Sequence, residues 1–446
     1  MTTIDRSRLD DAHSRVGTAV DCMRSRALSG IVLAALAIRC VYALHGPIGD
    51  FAWIDGEYYL SVARNLNASF CYCNSEGEFP YFAKIADIGP TAFSVPAYPA
   101  FLAIVISLFS DSATAIYLAQ ALLGTCAVWL CYGSASLLAG RQVGLLAAMI
   151  HAFNPFQVFQ VAIVASEGFA AFMLLLVVYV TLRWQAAMEK RSTSSPVIAT
   201  VFVALALGVG ILTRSAFSPI ALITLLYMAR IAHRATKSPW RAAGWVSAVA
   251  VGCLLLVGPW LLRNHRLWDQ WMLESKIGLN LNSGFHDLAD ASPSRESFAP
   301  ILRQDESLRA LNEVQRDRVH KATALAWMKD HPLRTAWLMA KKAVMFWNPL
   351  PGQGEGILFF VALGWSLALI SGTLSGLLIG LRDFDRLKYL YGVLAMYIVP
   401  HLLAYVTTRY RIPLEGLFAI FAAHGVLYLS HARSMTVQSA SVLELN

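Results

Sequence analysis

The chain has 446 residues, of which 57% are hydrophobic and only 14% charged, and its formal net charge is +8. A soluble domain carries about 25% charged residues, so this composition excludes an ordinary soluble enzyme. The basic residues are scattered over short loops, which argues against a nucleic-acid-binding face.

Apolar runs recur at close to the ~20 residues that a bilayer-crossing helix needs. Alternating segments of about ten residues, the mark of a transmembrane barrel, are absent. The expected fold class is therefore all-α, a polytopic transmembrane helical bundle. Residues 1–26 are polar and basic and read as a cytoplasmic tail. Ten spans follow, near 27–46, 112–138, 141–155, 166–184, 196–212, 215–231, 243–262, 354–381, 388–406 and 412–430. Residues 431–446 form a second cytoplasmic tail. The apolar stretch 97–109 is about half a span long and reads as a partial or interfacial helix. Arg141, Arg183, Lys190, Arg230, Arg234, Arg241, Arg382 and Arg386 fall on one side, which the positive-inside rule assigns to the cytoplasm. Two long loops then lie outside, at 47–96 and 263–353, the second with a helical-looking run from Asp305 to Lys342. No internal repeat is visible, which weakens a transporter built from inverted halves. Of seven cysteines, Cys40, Cys126, Cys131 and Cys253 sit in apolar runs as small hydrophobes. Cys71 and Cys73 are either a bridge or two free thiols, and the Cys-x2-Cys spacing of a metal site is missing.

The outer side concentrates unusual charges. Asp55 and Glu57 follow the first span in the run WIDGEYYLSVARNL, whose pattern suits a helix lying along the interface. They serve either as the acidic N-terminus of that helix or as chemistry. Glu167 opens the fourth span, with Ser166 as its N-cap, and a carboxylate at that depth is costly unless it faces a polar cavity. Arg214, Arg263, Arg409 and Arg411 lie where the positive-inside rule does not want them. They are either snorkelling anchors or a fork of donors for phosphate. Arg39 lies within the first span and needs a buried carboxylate or a structural role. His401, in an apolar span, reads as a packing residue before it reads as a catalyst.

In order and spacing, these features resemble the integral-membrane glycosyltransferases of the GT-C superfamily. The likeness is nearest to the bacterial branch related to protein O-mannosyltransferases and the lipid A aminoarabinose transferase. It is carried by Asp55-Gly-Glu-Tyr-Tyr59, Pro96-Ala-Tyr-Pro-Ala-Phe101, Asn154-Pro155, Ser166-Glu167 and Leu212-Thr-Arg214. Pro259-Trp-Leu-Leu-Arg-Asn264, His331-Pro332, Lys341 to Trp347 and Arg409-Tyr-Arg-Ile-Pro413 complete the series. The resemblance implies a sugar donor on a polyprenyl monophosphate, transfer on the outer face of the plasma membrane with inversion, and an envelope acceptor. It makes Asp55 the catalytic residue, with Glu57 beside it and Glu167 as the second acid. Arg214, Arg409, Arg411 and, more weakly, Lys84 are placed at the donor phosphate, with Tyr59, Arg263, Asn264, His401 and Tyr410 in support. A divalent cation (Mg²⁺, Mn²⁺ or Ca²⁺) between the acids stays open. Two rivals remain. One is a carrier of lipid-linked sugars without chemistry. The other is a ligase or polymerase using polyprenyl-diphosphate glycans, for which His286, Arg303, Arg309, His320 and His331 of the second loop would be the basic set.

Overall fold

The computed structural model describes residues 6–46, 54–75, 86–190, 195–292, 294–350 and 356–443. Helix α1 (Arg6–His45) begins well before the predicted span, because no proline interrupts the leader, and its apolar part is Ser25–His45. The first loop contains α2 (Ile54–Ser69), a two-stranded antiparallel ribbon of β1 (Cys73–Asn74) and β2 (Gly89–Pro90), and α3 (Ala97–Leu108). Cys71 and Cys73 are disulfide-bonded. Next come α4 (Ala113–Ala139), α5 (Arg141–Ala152) and the short α6 (Pro155–Phe159). The chain bends by 53° between the last two. Pro155 cannot donate to the preceding turn, and the Asn154 side chain accepts from Phe156 N–H in its place.

Helices α7 (Ser166–Met188), α8 (Pro196–Thr213), α9 (Phe217–Thr236) and α10 (Pro239–Trp268) then run back and forth. Serines cap two of them just ahead of a proline in the first turn, Ser195 before Pro196 and Ser238 before Pro239. The second loop is helical: α11 (Ile277–Gly284), α12 (Arg295–Ser307), α13 (Glu313–Asp330) and α14 (Pro332–Met345). The expected run from Asp305 to Lys342 is thus interrupted twice, once by the capping box at Asn312 and Gln315 and once at Pro332. Helices α15 (Gly356–Gly380), α16 (Phe384–Leu402) and α17 (Glu415–Leu443) close the bundle.

Among the described residues, seven segments are long and apolar enough to cross a membrane, or eight if the bent α5–α6 pair is one span. The ten predicted spans differ at two further places. Helix α9, whose second half carries Arg230, His233 and Arg234, is not among the seven. Helices α15 and α16 are joined through the 3₁₀ segment Leu381–Asp383 and form one apolar run, Gly356–Leu402. Across this junction Tyr391 Oη donates to the Leu377 carbonyl at 2.5 Å.

In hydrocarbon, helices associate through close packing rather than through flight from water. The crossing of α15 and α17 shows it: a Cβ on Gly376 would stand 2.0 Å from the Phe421 carbonyl oxygen. Trp184, Phe217, Tyr389, Phe418 and Phe421 fill the shared core, while Val201, Leu254, Leu255 and Phe360 point outward as a lipid-facing surface would. Arg39 meets no carboxylate among the described residues. It donates to the carbonyls of Ala152 at 3.0 Å and His151 at 3.4 Å, where α5 ends, a place the helix dipole favours for a cation.

The two loops are sewn together over one end of the bundle. Glu313 accepts from Ala92 N–H at 2.6 Å, Thr91 Oγ1 at 2.9 Å and Ser275 Oγ at 3.0 Å. Arg316 pairs with Asp87 at 3.0 Å. From the end of α10, Arg263 donates to the carbonyls of Thr91 and Tyr72 and lies over the Trp260 ring.

Candidate active site

Four elements bring charge to one place beneath these loops. Asp55 is in the first turn of α2. Gly56 lets that turn approach the bundle, since a Cβ there would lie 2.9 Å from the Val164 carbonyl oxygen. Glu167 is the second residue of α7; the N-cap is Ala165, one residue before the predicted one, and it makes no side-chain cap. Arg214 is the extended residue that ends α8. Arg409 comes from the 3₁₀ segment Thr408–Leu414. That helix has three residues per turn, so Arg409 and Arg411 leave it in different directions.

The charges form a chain. Arg409 Nη2 donates to Asp55 Oδ2 at 2.5 Å, and its Nε donates to Glu167 Oε1 at 2.7 Å. Arg214 Nη1 donates to the same Glu167 oxygen at 2.8 Å. Glu167 is fully buried, and its Oε2 has no hydrogen-bond partner among the described residues. Such a carboxylate stays charged only because two guanidiniums face it. Asp55 is partly open, and one of its oxygens remains for a substrate.

These groups line a cavity of about 600 Å³ between the bundle and the loop helices. Tyr59, one helical turn from Asp55, is on its wall, as are Tyr410 and His401. Tyr410 lies under Arg214, with 5.6 Å from the guanidinium carbon to the ring centroid. His401 Nδ1 is 2.7 Å from the Tyr397 carbonyl oxygen and its ring stacks on Tyr397, so it is a packed side chain with one edge on the cavity.

Three charged residues on the wall, Glu274, Lys276 and Lys321, were not singled out from the sequence. Glu274 is buried and accepts from Ser215 Oγ at 2.5 Å. Lys276 Nζ lies 3.7 Å from Glu274 Oε2. Burial disfavours the charge on Lys276, but Tyr59, Glu274 and Asp55 outweigh burial and hold its pKa above the ordinary lysine value. In sequence, this Glu-x-Lys pair looks like any other loop charge.

The remaining sequence candidates lie elsewhere. Glu57 is exposed and off the cavity wall. Arg411 is buried in the bundle, donating to the Asn348 carbonyl at 2.7 Å and Ser366 Oγ at 2.8 Å, with Glu415 at 3.5 Å. Arg263 and Asn264 hold the loops, Asn264 by donating to the Met272 carbonyl at 2.9 Å. Lys84 lies outside the described residues. None of His286, Arg303, Arg309, His320 and His331 lines the cavity; His320 is buried against Asp305 and Asn282. In this arrangement Arg409 bridges Asp55 and Glu167. Among the described residues, no group of three or more His, Cys, Asp or Glu side chains could hold a metal.

Residues 92–262 match the dolichyl-phosphate-mannose-protein mannosyltransferase family. No curated protein sequence matches the chain. Among solved structures, the chain is similar to the oligosaccharyltransferase of Archaeoglobus fulgidus in the apo form, with a TM-score of 0.52 at 14% identity over 93% of this chain and 52% of that one. It is also similar to AglB from the same organism in complex with an inhibitory peptide and a dolichol-phosphate, with a TM-score of 0.50 at 16% identity over 93% of this chain and 52% of that one. ArnT from Cupriavidus metallidurans bound to undecaprenyl phosphate aligns with a TM-score of 0.42 at 14% identity over 89% of this chain and 77% of that one. The chain spans about half the length of the archaeal enzyme. It is a multi-pass membrane protein with the GT-C fold of integral-membrane glycosyltransferases.

Proposed function

We propose that the chain is a glycosyltransferase that moves a monosaccharide from a polyprenyl-phosphate donor to an envelope acceptor on the outer face of the plasma membrane, with inversion. One observation carries the reading. Asp55 is held at one oxygen by Arg409, while the residue opens onto a cavity of about 600 Å³ that is large enough for a sugar and its acceptor group. The dolichol-phosphate bound to the similar archaeal enzyme supports a polyprenyl-type carrier here.

The acceptor hydroxyl attacks the anomeric carbon and loses its proton to Asp55, a step that typically contributes 10²–10⁴-fold. The bond from the anomeric carbon to the phosphate oxygen breaks, and the electron pair leaves with polyprenyl phosphate. The charge that develops there is met by fixed cations. Arg409 is committed to both acids, so its part is to aim Asp55. Arg214, bonded to Glu167 by one nitrogen, and Lys276, 3.7 Å from Glu274, are cations that can face the phosphate. Glu167 keeps both arginines in position.

The test is turnover of polyprenyl-phosphate monosaccharides by the purified chain in an envelope extract, followed as release of polyprenyl phosphate. Release by the parent that is lost in Asp55→Asn is the expected result. Tight donor binding without release from any donor would overturn the transferase reading in favour of a carrier.

A further inference from the structure

A second cavity, of about 500 Å³, lies at the other end of the bundle. Helix α16 ties the two together: His401 in its last turn lines the first and Arg386 in its first turn lines the second. Fifteen residues of helix separate them by about 22 Å, most of a hydrocarbon core. The walls come from the turn between α4 and α5, the start of α16 and the middle of α17.

The chemistry of this cavity suits an oxyanion. Arg141 and Arg386 line it together with Gln142 and Tyr428. Arg386 is exposed and makes no hydrogen bond or ion pair among the described residues. Helix α5 also begins there. Its N-cap is Gly140, held at φ +91°, which offers no capping side chain, so the first amides of the helix are uncapped. Such amides and the helix dipole together favour an anion. An independent feature points the same way. His424 is only 8% exposed and its Nε2 has no hydrogen-bond partner among the described residues. Asp383 Oδ2, at 3.4 Å, attracts it without the alignment of a hydrogen bond. Among the described residues, Asp383 is the one carboxylate on the wall, and its charge is opposed by two arginines and the helix end. Just outside, Arg382 donates to Tyr428 Oη at 3.1 Å.

The surroundings identify the carrier of the anion. Leu381, Phe384, Val426 and Leu429, within two residues of the lining in sequence, are exposed large apolar side chains. A phosphate seated between the arginines would have its acyl chains beside a lipid-facing surface. Basic pockets between spanning helices are where anionic headgroups bind.

The geometry points to a binding site for the phosphate of an anionic membrane phospholipid between α5, α16 and α17, at the bundle end opposite the sugar-transfer cavity. The site does not depend on the transferase reading. Its occupant clamps the turn between α4 and α5 to the start of α16.

The test uses the full chain purified in zwitterionic detergent, with native mass spectrometry scoring phosphatidylglycerol, phosphatidylcholine and inorganic phosphate separately. Each arginine near a membrane surface contributes about fivefold to the binding of anionic lipid. The Arg141→Gln, Arg386→Gln double variant should therefore bind phosphatidylglycerol about thirtyfold more weakly than the parent. Both side chains are exposed, so the variant should unfold at the parent's temperature in phosphatidylcholine. Arg230→Gln, a basic residue that does not line the cavity, should bind like the parent. Equal affinity for phosphatidylglycerol in parent and double variant would overturn the site. Phosphatidylcholine bound as tightly as phosphatidylglycerol would do the same. Inorganic phosphate bound as tightly as the lipid would overturn the lipid assignment and leave a free-anion site.

Discussion

Replacing Glu167 by Gln keeps the shape of the side chain and removes one charge from the place where two guanidiniums meet. Arg214 and Arg409 approach the same oxygen at 2.8 and 2.7 Å, and Glu167 is fully buried. After the change, Arg409 retains Asp55, but Arg214 loses its only close carboxylate among the described residues. Removing one partner of a buried ion pair costs about 3–5 kcal/mol, because it strands the other charge. Asp55→Asn should behave in the opposite way. That pair is partly exposed, with side-chain exposures of 23% and 30%, and pairs nearer to water contribute about 0–1 kcal/mol. Arg409 still has Glu167 after this change. Thermal unfolding of the purified variants in one detergent reads both effects. Glu167→Gln should unfold at clearly lower temperature than the parent, and Asp55→Asn within a degree or two of it. Asp55→Asn should nevertheless lose about 10²–10⁴-fold in turnover. If Glu167→Gln is as stable as the parent while Asp55→Asn collapses, the network is not the structural hub described here and the division of roles between the two acids is wrong.

Lys276→Met should raise the KM for a lipid-phosphate donor by about tenfold or more while the fold survives, the cost of one charge-assisted hydrogen bond; unchanged kinetics would remove Lys276 from the phosphate. Gly56→Ala should destabilise the first loop by about 1–3 kcal/mol, because its Cβ would press on the Val164 carbonyl, and limited proteolysis should cut between α2 and α3 sooner; parent-like resistance would refute the contact. Burial lowers the pKa of Lys342 to about 7 from an ordinary 10.5. Between those values the unfolded chain binds the extra proton, so this residue makes stability rise as pH increases from about 7 to about 10.5. Lys342→Met should flatten that part of the stability curve; an unchanged slope would show that Lys342 does not set it.

The class of the protein is legible in its sequence because the thickness of hydrocarbon acts on consecutive residues: a run such as Pro196–Thr213 either is long and apolar enough or is not. The residue types that opened the site, Asp55, Glu167, Arg214 and Arg409, were visible for a related reason, since each sits where a membrane surface makes its charge costly. Which of them meet was not visible. Asp55 reaches the cavity and Glu57 does not, although they are two residues apart on one helix, because their directions differ by most of a half-turn. Arg409 joins both acids while Arg411 turns into the bundle, an outcome of the 3₁₀ segment between α16 and α17. Glu274 and Lys276 reach the site because the two loops dock: Ser275 N–H donates to the Ala92 carbonyl, and Glu313 binds Ala92 across more than two hundred residues of chain. Arg39 donates to carbonyls freed where α5 breaks at Pro155. Spans are local in the chain, and pairings between them are not; those pairings depend on helix rotation and loop docking, which arise only when the whole bundle packs.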